Sequence, residues 1–329
     1  MSSIDANSFL ETSTMKMPIV GLGTWQATEE QVDQALNAAV DAGYRHIDTA
    51  FVYMNEAAIG KSLKKIFENG KVKREEMFIV TKLPNIANDA KYVEDYIKRS
   101  LSALQLDYID LYLIHHPVGF VNGEDLMPKD ENGKVKLDMS TDHIAIWKKM
   151  EEQVDAGRAK AIGLSNFNIK QIERIIGSAR IKPANLQIEA HLYCQQKELH
   201  EFCKKNGITV CAYSPLGSPN LMPMLPMFGG DPSSIPQLNP LTDPVVLEIA
   251  KAHDKTSAQV LLRHLLQKNF AVIPKSSNPE RIKQNFQVFD FELSEKEMGD
   301  LDALDRANDG RLFKSTLFSG ADKHPECPY

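Results

Sequence analysis

Short apolar runs alternate with longer amphipathic stretches along most of the chain. PIVGLG (18–23) is the first run that reads as a buried strand. TEEQVDQALNAAVDAG follows with Val32, Leu36, Ala39 and Val40 at helical spacing, Thr28 where an N-cap belongs and Gly43 where the helix should stop. HID (46–48), a helix after Asn55, MFIVTKL (77–83), a helix from about Asp89 to Leu104 and IDLYLIH (109–115) continue the alternation. After a polar loop come the helix HIAIWKKMEEQVDAG and the strands KAIGLSN (160–166), NLQIE (185–189), ITVCAYS (208–214) and FAVIP (270–274).

These eight strands are continuously apolar rather than alternating, which describes a parallel sheet covered on its outer face. Eight β/α units predict an α/β fold closed into a (β/α)8 TIM barrel. The competing architecture is a doubly wound sheet with a second domain. It calls for G-x-G-x-x-G after the first strand, and GLGTWQ lacks the third glycine. No Pro/Ser/Gly-rich linker divides the chain, so the expectation is one barrel domain over 1–329. Two longer loops, 118–140 and 216–243, and a C-terminal tail should lie over the C-terminal face of the strands, where barrels keep their sites.

Polar residues gather at those strand ends: Asp48, Lys82, His115, Ser165 with Asn166, Gln187, Tyr213 with Ser214, and Lys275 with Ser276. In a barrel they converge on one mouth. Lys82 and Asp48, on neighbouring strands, should form an ion pair. Tyr53 lies five residues beyond Asp48. An ammonium beside its hydroxyl lowers the phenol pKa, which makes Tyr53 a general acid/base, with His115 orienting a carbonyl oxygen. Without Lys82 and Asp48, Tyr53 would read as an aromatic lid and His115 as a packed barrel histidine. After the last strand, Lys275, Ser276, Asn278 and Arg281 stand at a helix start, which suits a phosphate.

Composition narrows the field. The 329 residues carry 38 Lys+Arg against 44 Asp+Glu, a net −6, which speaks against a nucleic-acid partner but leaves room for one local basic site. The four cysteines, Cys194, Cys203, Cys211 and Cys327, contain no C-x-x-C pair and do not make a disulfide framework. No apolar run approaches the ~18 residues of a membrane span, and the start does not read as a leader. The expected setting is cytoplasmic, and the expected state a monomer. Gly60-Lys61-Ser62 fails as a phosphate loop because Asn55 replaces the required glycine. Gly163-Leu164-Ser165-Asn166-Phe167 lacks the last glycine of a nucleophile elbow. His191, Cys194, His200 and Cys203 repeat an H-x2-C spacing, but the second pair falls on a helix whose apolar face is occupied, so no metal is expected. The Met-rich run LMPMLPMF (221–228) reads as adaptable pocket wall.

GLGTW, AGYRHIDTAFVYMNEAAIG, LDYIDLYLIHHPVGF, AIGLSNFN, QIEAH, AYSPLGS and AVIPKSSNPERIKQNFQVFDFELS together resemble the aldo-keto reductases of the aldose reductase-like kind. The resemblance runs from about Pro18 to Leu293 and implies a barrel that binds NADPH across its C-terminal face without a Rossmann domain. It implies a catalytic tetrad of Asp48, Tyr53, Lys82 and His115, with Tyr53 protonating the carbonyl oxygen as hydride arrives. It places Gly23, Thr24 and Trp25 at the nicotinamide end, Tyr213 on the ring, and Ser165, Asn166 and Gln187 on its carboxamide. Ser214, Leu216 and Ser218 match a pyrophosphate-covering loop. Lys275, Ser276, Asn278 and Arg281 take the 2′-phosphate side, and Gln284 and Asn285 lie near adenine.

The implied substrate pocket is lined by Trp25, His116, Phe120, Phe313, Leu317 and Phe318. Pro84, His116 and Pro223 stand where that enzyme type has tryptophans, which implies a wider pocket suited to bulky ketones such as steroids or ecdysteroids, as in 3-dehydroecdysone reductases. Asn220 and Gln26 replace the ion pair that pins the loop over the cofactor, and Leu192 replaces a proline. The alternative is a non-catalytic NADPH-binding regulatory barrel, against which the intact tetrad argues.

Overall fold

The computed structural model describes residues 4–219, 221, 236–314 and 318–329. A two-stranded antiparallel hairpin, β1 (Phe9–Glu11) and β2 (Lys16–Pro18), opens the chain. Eight parallel strands follow: β3 (Leu22–Gly23), β4 (His46–Asp48), β5 (Phe78–Leu83), β6 (Ile109–Ile114), β7 (Ala159–Ser165), β8 (Asn185–Glu189), β9 (Thr209–Tyr213) and β10 (Phe270–Val272). They pair in sequence order. Bridges Val20–Val272 and Gly23–Lys275 bring the last strand back to the first and close the (β/α)8 barrel.

Each crossover carries helix: α1 (Glu29–Ala42), α2 (Glu56–Glu68), α3 (Val93–Leu104), α4 (His143–Asp155), α5 (Ile169–Ile176) and α6 (Lys197–Lys205), then Pro244–Ala252 and Ser257–Gln267; Pro279–Phe286 and Glu295–Asp302 follow the last strand. The α1 boundaries follow from local chemistry. Thr28 accepts from the Gln31 N–H while the Gln31 side chain accepts from the Thr28 N–H, and Gly43 ends the helix at φ 108.

Two boundaries differ from expectation. The opening hairpin carries little sequence signal, because each of its strands buries only one residue, Leu10 or Met17. The first barrel strand covers only two of the six residues in PIVGLG. The stretch before α3 is a separate 3₁₀ turn at Ala90–Tyr92, with Asp89 capping it through the Lys91 N–H.

The core fills the barrel and the strand–helix layer. β5 and β6 are buried along their whole length, as unbroken apolar strands should be. The tail crosses the C-terminal face: the Leu312 and Phe313 N–H groups donate to the Glu189 carboxylate at 2.7 and 2.9 Å. Among the described residues, no helix is long and apolar enough to cross a membrane.

Candidate active site

β4 and β5 set Asp48 and Lys82 side by side, and the 3₁₀ turn Phe51–Tyr53 brings Tyr53 over them. The Lys82 ammonium donates to Asp48 Oδ1 at 2.7 Å, to the Thr49 carbonyl at 2.8 Å and to the Tyr53 hydroxyl at 3.5 Å. A lysine has three protons to give, and all three are placed. The other Asp48 oxygen accepts from Gln187 Nε2 at 2.7 Å. The pair is almost wholly buried, and this saturation makes an otherwise costly burial tolerable.

His115 follows β6 and sets its ring edge-on to Tyr53, with centroids 5.8 Å apart. Its Nδ1 is enclosed with no hydrogen-bond partner among the described residues. Burial, assisted by the Lys82 charge, holds the imidazole well below its usual pKa, so it is neutral at physiological pH. Burial alone would lower the Lys82 pKa, but Asp48 and Tyr53 outweigh it and the ammonium is raised. Tyr53 corrects the expectation. Burial pushes its phenol up more than Lys82 pulls it down, so the net shift is upward. The ammonium acts in the expected sense but does not win in the resting site.

Ser165, Asn166 and Tyr213 form a second cluster. Asn166, at φ 66, donates to the His115 carbonyl at 2.9 Å and to Ser165 Oγ at 3.1 Å, and accepts from the Tyr213 hydroxyl at 2.7 Å. Ser214 and Ser218, both with positive φ, are joined by a 2.6 Å hydroxyl–hydroxyl bond around the half-buried Leu216. Gly23 lies where β3 meets the last strand: a Cβ there would sit 2.7 Å from the Ile273 carbonyl oxygen. Thr24 is buried and donates to the Asp48 carbonyl at 2.9 Å.

At the far end, Lys275 and Arg281 are exposed cations, with Ser276 buried between strand and helix. Partial burial and then the neighbouring Arg281 charge lower the Lys275 pKa, so the two cations stand near each other. Asn278 caps the helix Pro279–Phe286 through the Arg281 N–H at 3.0 Å. Asn285 is buried and Gln284 half-buried on the same helix. A like-charged pair beside a capped helix start fits a phosphate, and the residues present fit NADP(H).

Aromatic residues wall the remaining side. Trp25 meets Phe313 at 6.0 Å and Tyr213 meets Phe313 at 5.3 Å. Phe318 lies between His116, at 5.7 Å, and the buried Phe120, at 5.4 Å. Burial drives the His116 pKa down to about 3, so it lines this wall as a neutral ring. Leu317, Asn220, Pro223 and all of the Met-rich run except Leu221 lie outside the described residues.

Sequence reasoning missed two buried organisers. Glu189, closing β8, accepts from His191 and from the two tail amides, and so ties the tail to the barrel. A carboxylate at the end of the apolar strand NLQIE was the available signal. Asn55 donates to the Thr24 and Ala27 carbonyls at 2.9 and 3.1 Å, which braces the turn that carries Tyr53. The H-x2-C residues are spoken for: His191 pairs with Glu189, His200 stacks on Phe270, and burial pushes the Cys194 and Cys203 thiols up to about 12.

A barrel with a buried Lys–Asp pair under a tyrosine at its C-terminal mouth defines a class, and comparison with known proteins places the chain within it. The family model described as Aldo/keto reductase family matches residues 19–306. Aldo-keto reductase family 1 member A1 of Mus musculus is 45% identical over 302 residues, covering 92% of this chain and 90% of the relative. Aldo-keto reductase family 1 member C1 of Homo sapiens is 42% identical over 314 residues, covering 94% of each. The structure of the aldose reductase from Schistosoma japonicum superposes with a TM-score of 0.86 at 43% identity, covering 97% of this chain and 98% of that one. The chain belongs to the aldo/keto reductase family. It is an NADPH-dependent oxidoreductase of carbonyls and alcohols.

Proposed function

We propose that this enzyme reduces bulky apolar ketones and aldehydes to alcohols, with Tyr53 as the proton donor. One observation carries the reading: Lys82, its charge fixed by Asp48, lies 3.5 Å beneath the Tyr53 hydroxyl. When bound, NADPH supplies the hydride to the carbonyl carbon. The chain does the rest. Neutral His115 offers an N–H to the carbonyl oxygen and orients it. Tyr53, whose raised pKa keeps its proton in the resting enzyme, hands that proton to the developing alkoxide. The Lys82 ammonium stabilises the phenolate left behind.

In this reading Asp48, Tyr53, Lys82 and His115 are the catalytic residues. Tyr213 would stack on the nicotinamide, and Ser165, Asn166 and Gln187 would hold its carboxamide. Gly23, Thr24 and Trp25 would border the ring, and Ser214, Leu216 and Ser218 would cover the pyrophosphate. Lys275, Ser276, Asn278 and Arg281 would take the 2′-phosphate, with Gln284 and Asn285 at adenine. Pro84 and His116 leave room where larger rings would narrow the pocket, which favours sterol or ecdysteroid ketones. The chain acts as a one-domain cytoplasmic monomer.

Two experiments test this. Tyr53→Phe should lower kcat by at least about 100-fold, while NADPH binding, followed by Trp fluorescence, stays within about twofold. Retained turnover removes Tyr53 from the role. Catalytic efficiency should be higher on a sterol ketone than on a small aromatic aldehyde, and a strong preference for the aldehyde refutes the bulky-substrate assignment.

A further inference from the structure

A cavity of about 600 Å³ opens beside the starts of α5 and α6, under the C-terminal segment and apart from the tetrad. The first residues of both helices line it. Helix starts present amide N–H groups that have no intrahelical acceptor. At α5 the reciprocal Asn168–Gln171 cap leaves the Ile169 and Lys170 amides without an acceptor among the described residues. At α6 the cap residue Gln196 makes no side-chain bond to the helix, so the amides of 197–199 are also without an acceptor among the described residues. Two positive helix ends therefore open into one space.

Arg311 is the independent observation. It lines the same cavity yet is only 5% exposed. Its partners are neutral: Nη2 donates to Gln196 Oε1 at 3.1 Å and to Asn308 Oδ1 at 3.4 Å, and the Tyr329 ring covers its face at 3.9 Å. Nη1 is buried and has no hydrogen-bond partner among the described residues. Nε also reaches Asn308 Oδ1 at 3.4 Å, and against the burial of the guanidinium the nearby Tyr329, Cys194 and Glu189 hold its pKa up, yet no carboxylate is bonded to it among the described residues. Lys170 and Lys197 add two exposed cations to the wall, against Glu198 and Asp305. Asp305 is already engaged, by the Gln195 and Ala307 amides at 3.1 Å and by Lys197 at 3.4 Å.

We propose that this cavity is a second anion site, which takes a phosphate or carboxylate group of a small metabolite and tunes the substrate pocket. The link is short. Arg311 precedes Leu312 and Phe313, whose amides are held by Glu189, and the Phe313 ring packs on Trp25 and Tyr213. An anion that engages Arg311 fixes the segment carrying that aromatic wall.

The test uses inorganic phosphate, titrated calorimetrically into the full chain saturated with NADP+, so that Lys275 and Arg281 are already engaged. Phosphate should bind one further site, with affinity falling about tenfold in Arg311→Gln and in a Lys170→Gln/Lys197→Gln pair. The two lysines are exposed, so their replacement leaves the fold intact and reports even where Arg311→Gln lowers stability. Arg281→Ala should retain the site. In the native enzyme phosphate should shift the KM for a carbonyl substrate by at least about twofold, roughly 0.4 kcal/mol, and the lysine pair should abolish the shift. Absence of binding heat, affinity indifferent to both variants, or loss of binding in Arg281→Ala overturns the site. Binding without a KM shift overturns its coupling to the substrate pocket.

Discussion

The Lys82 ammonium directs its three protons at Asp48, Thr49 and Tyr53, and Gln187 completes the second oxygen of Asp48. Three strands and a 3₁₀ turn are thus joined through one buried charge. The members of this cluster were legible as polar interruptions at the ends of apolar runs, because a parallel strand inside a barrel has little other reason to end in Asp or Lys. The direction of the Tyr53 shift was not legible. It is a contest between burial and one cation, and burial exists only once the chain has folded. The cations after β10 belong to this scale too. Arg281→Ala should weaken NADPH binding by at least about tenfold and NADH binding by less than about twofold; equal losses in a titration of both cofactors would undo the 2′-phosphate assignment.

Among elements, the seven strands after the first were readable to within about two residues, since long apolar runs flanked by caps leave few alternatives. The first was not. Its apolar run continues through residues that meet the last strand only by isolated bridges, and that encounter is set by closure, which no local pattern encodes. Gly23 marks the seam. Gly23→Ala should destabilise the fold by about 1–3 kcal/mol, because the added methyl meets a backbone carbonyl that cannot rotate away. A denaturant midpoint unchanged from that of the native chain would show that the seam relaxes.

At the scale of the molecule, the tail is fastened at both ends of its path. Glu189 holds the amides at 312 and 313, and Glu326 is gripped by Arg174 at 2.6 Å, Gln171 at 3.1 Å and His143 at 3.4 Å. Burial would raise the Glu326 carboxyl, but those partners hold it down to about 2. A depressed folded pKa stabilises above the ordinary value of 4.5 and loses that contribution as pH falls towards about 2. Glu326→Gln should therefore lower Tm at neutral pH, and the gap to the native enzyme should close on acidification through that window. A gap that persists at pH values below about 2 would assign the effect to packing instead.

The seam between the first and last strands also has a temporal meaning. Val20 waits for Val272, a partner that leaves the ribosome some 250 residues later. Until then the outer edge of β3 has no neighbour, and the growing chain carries an open, adhesive border through most of its synthesis. A nascent chain halted before residue 270 should co-sediment with chaperones or aggregate, whereas one released past residue 275 can seal itself.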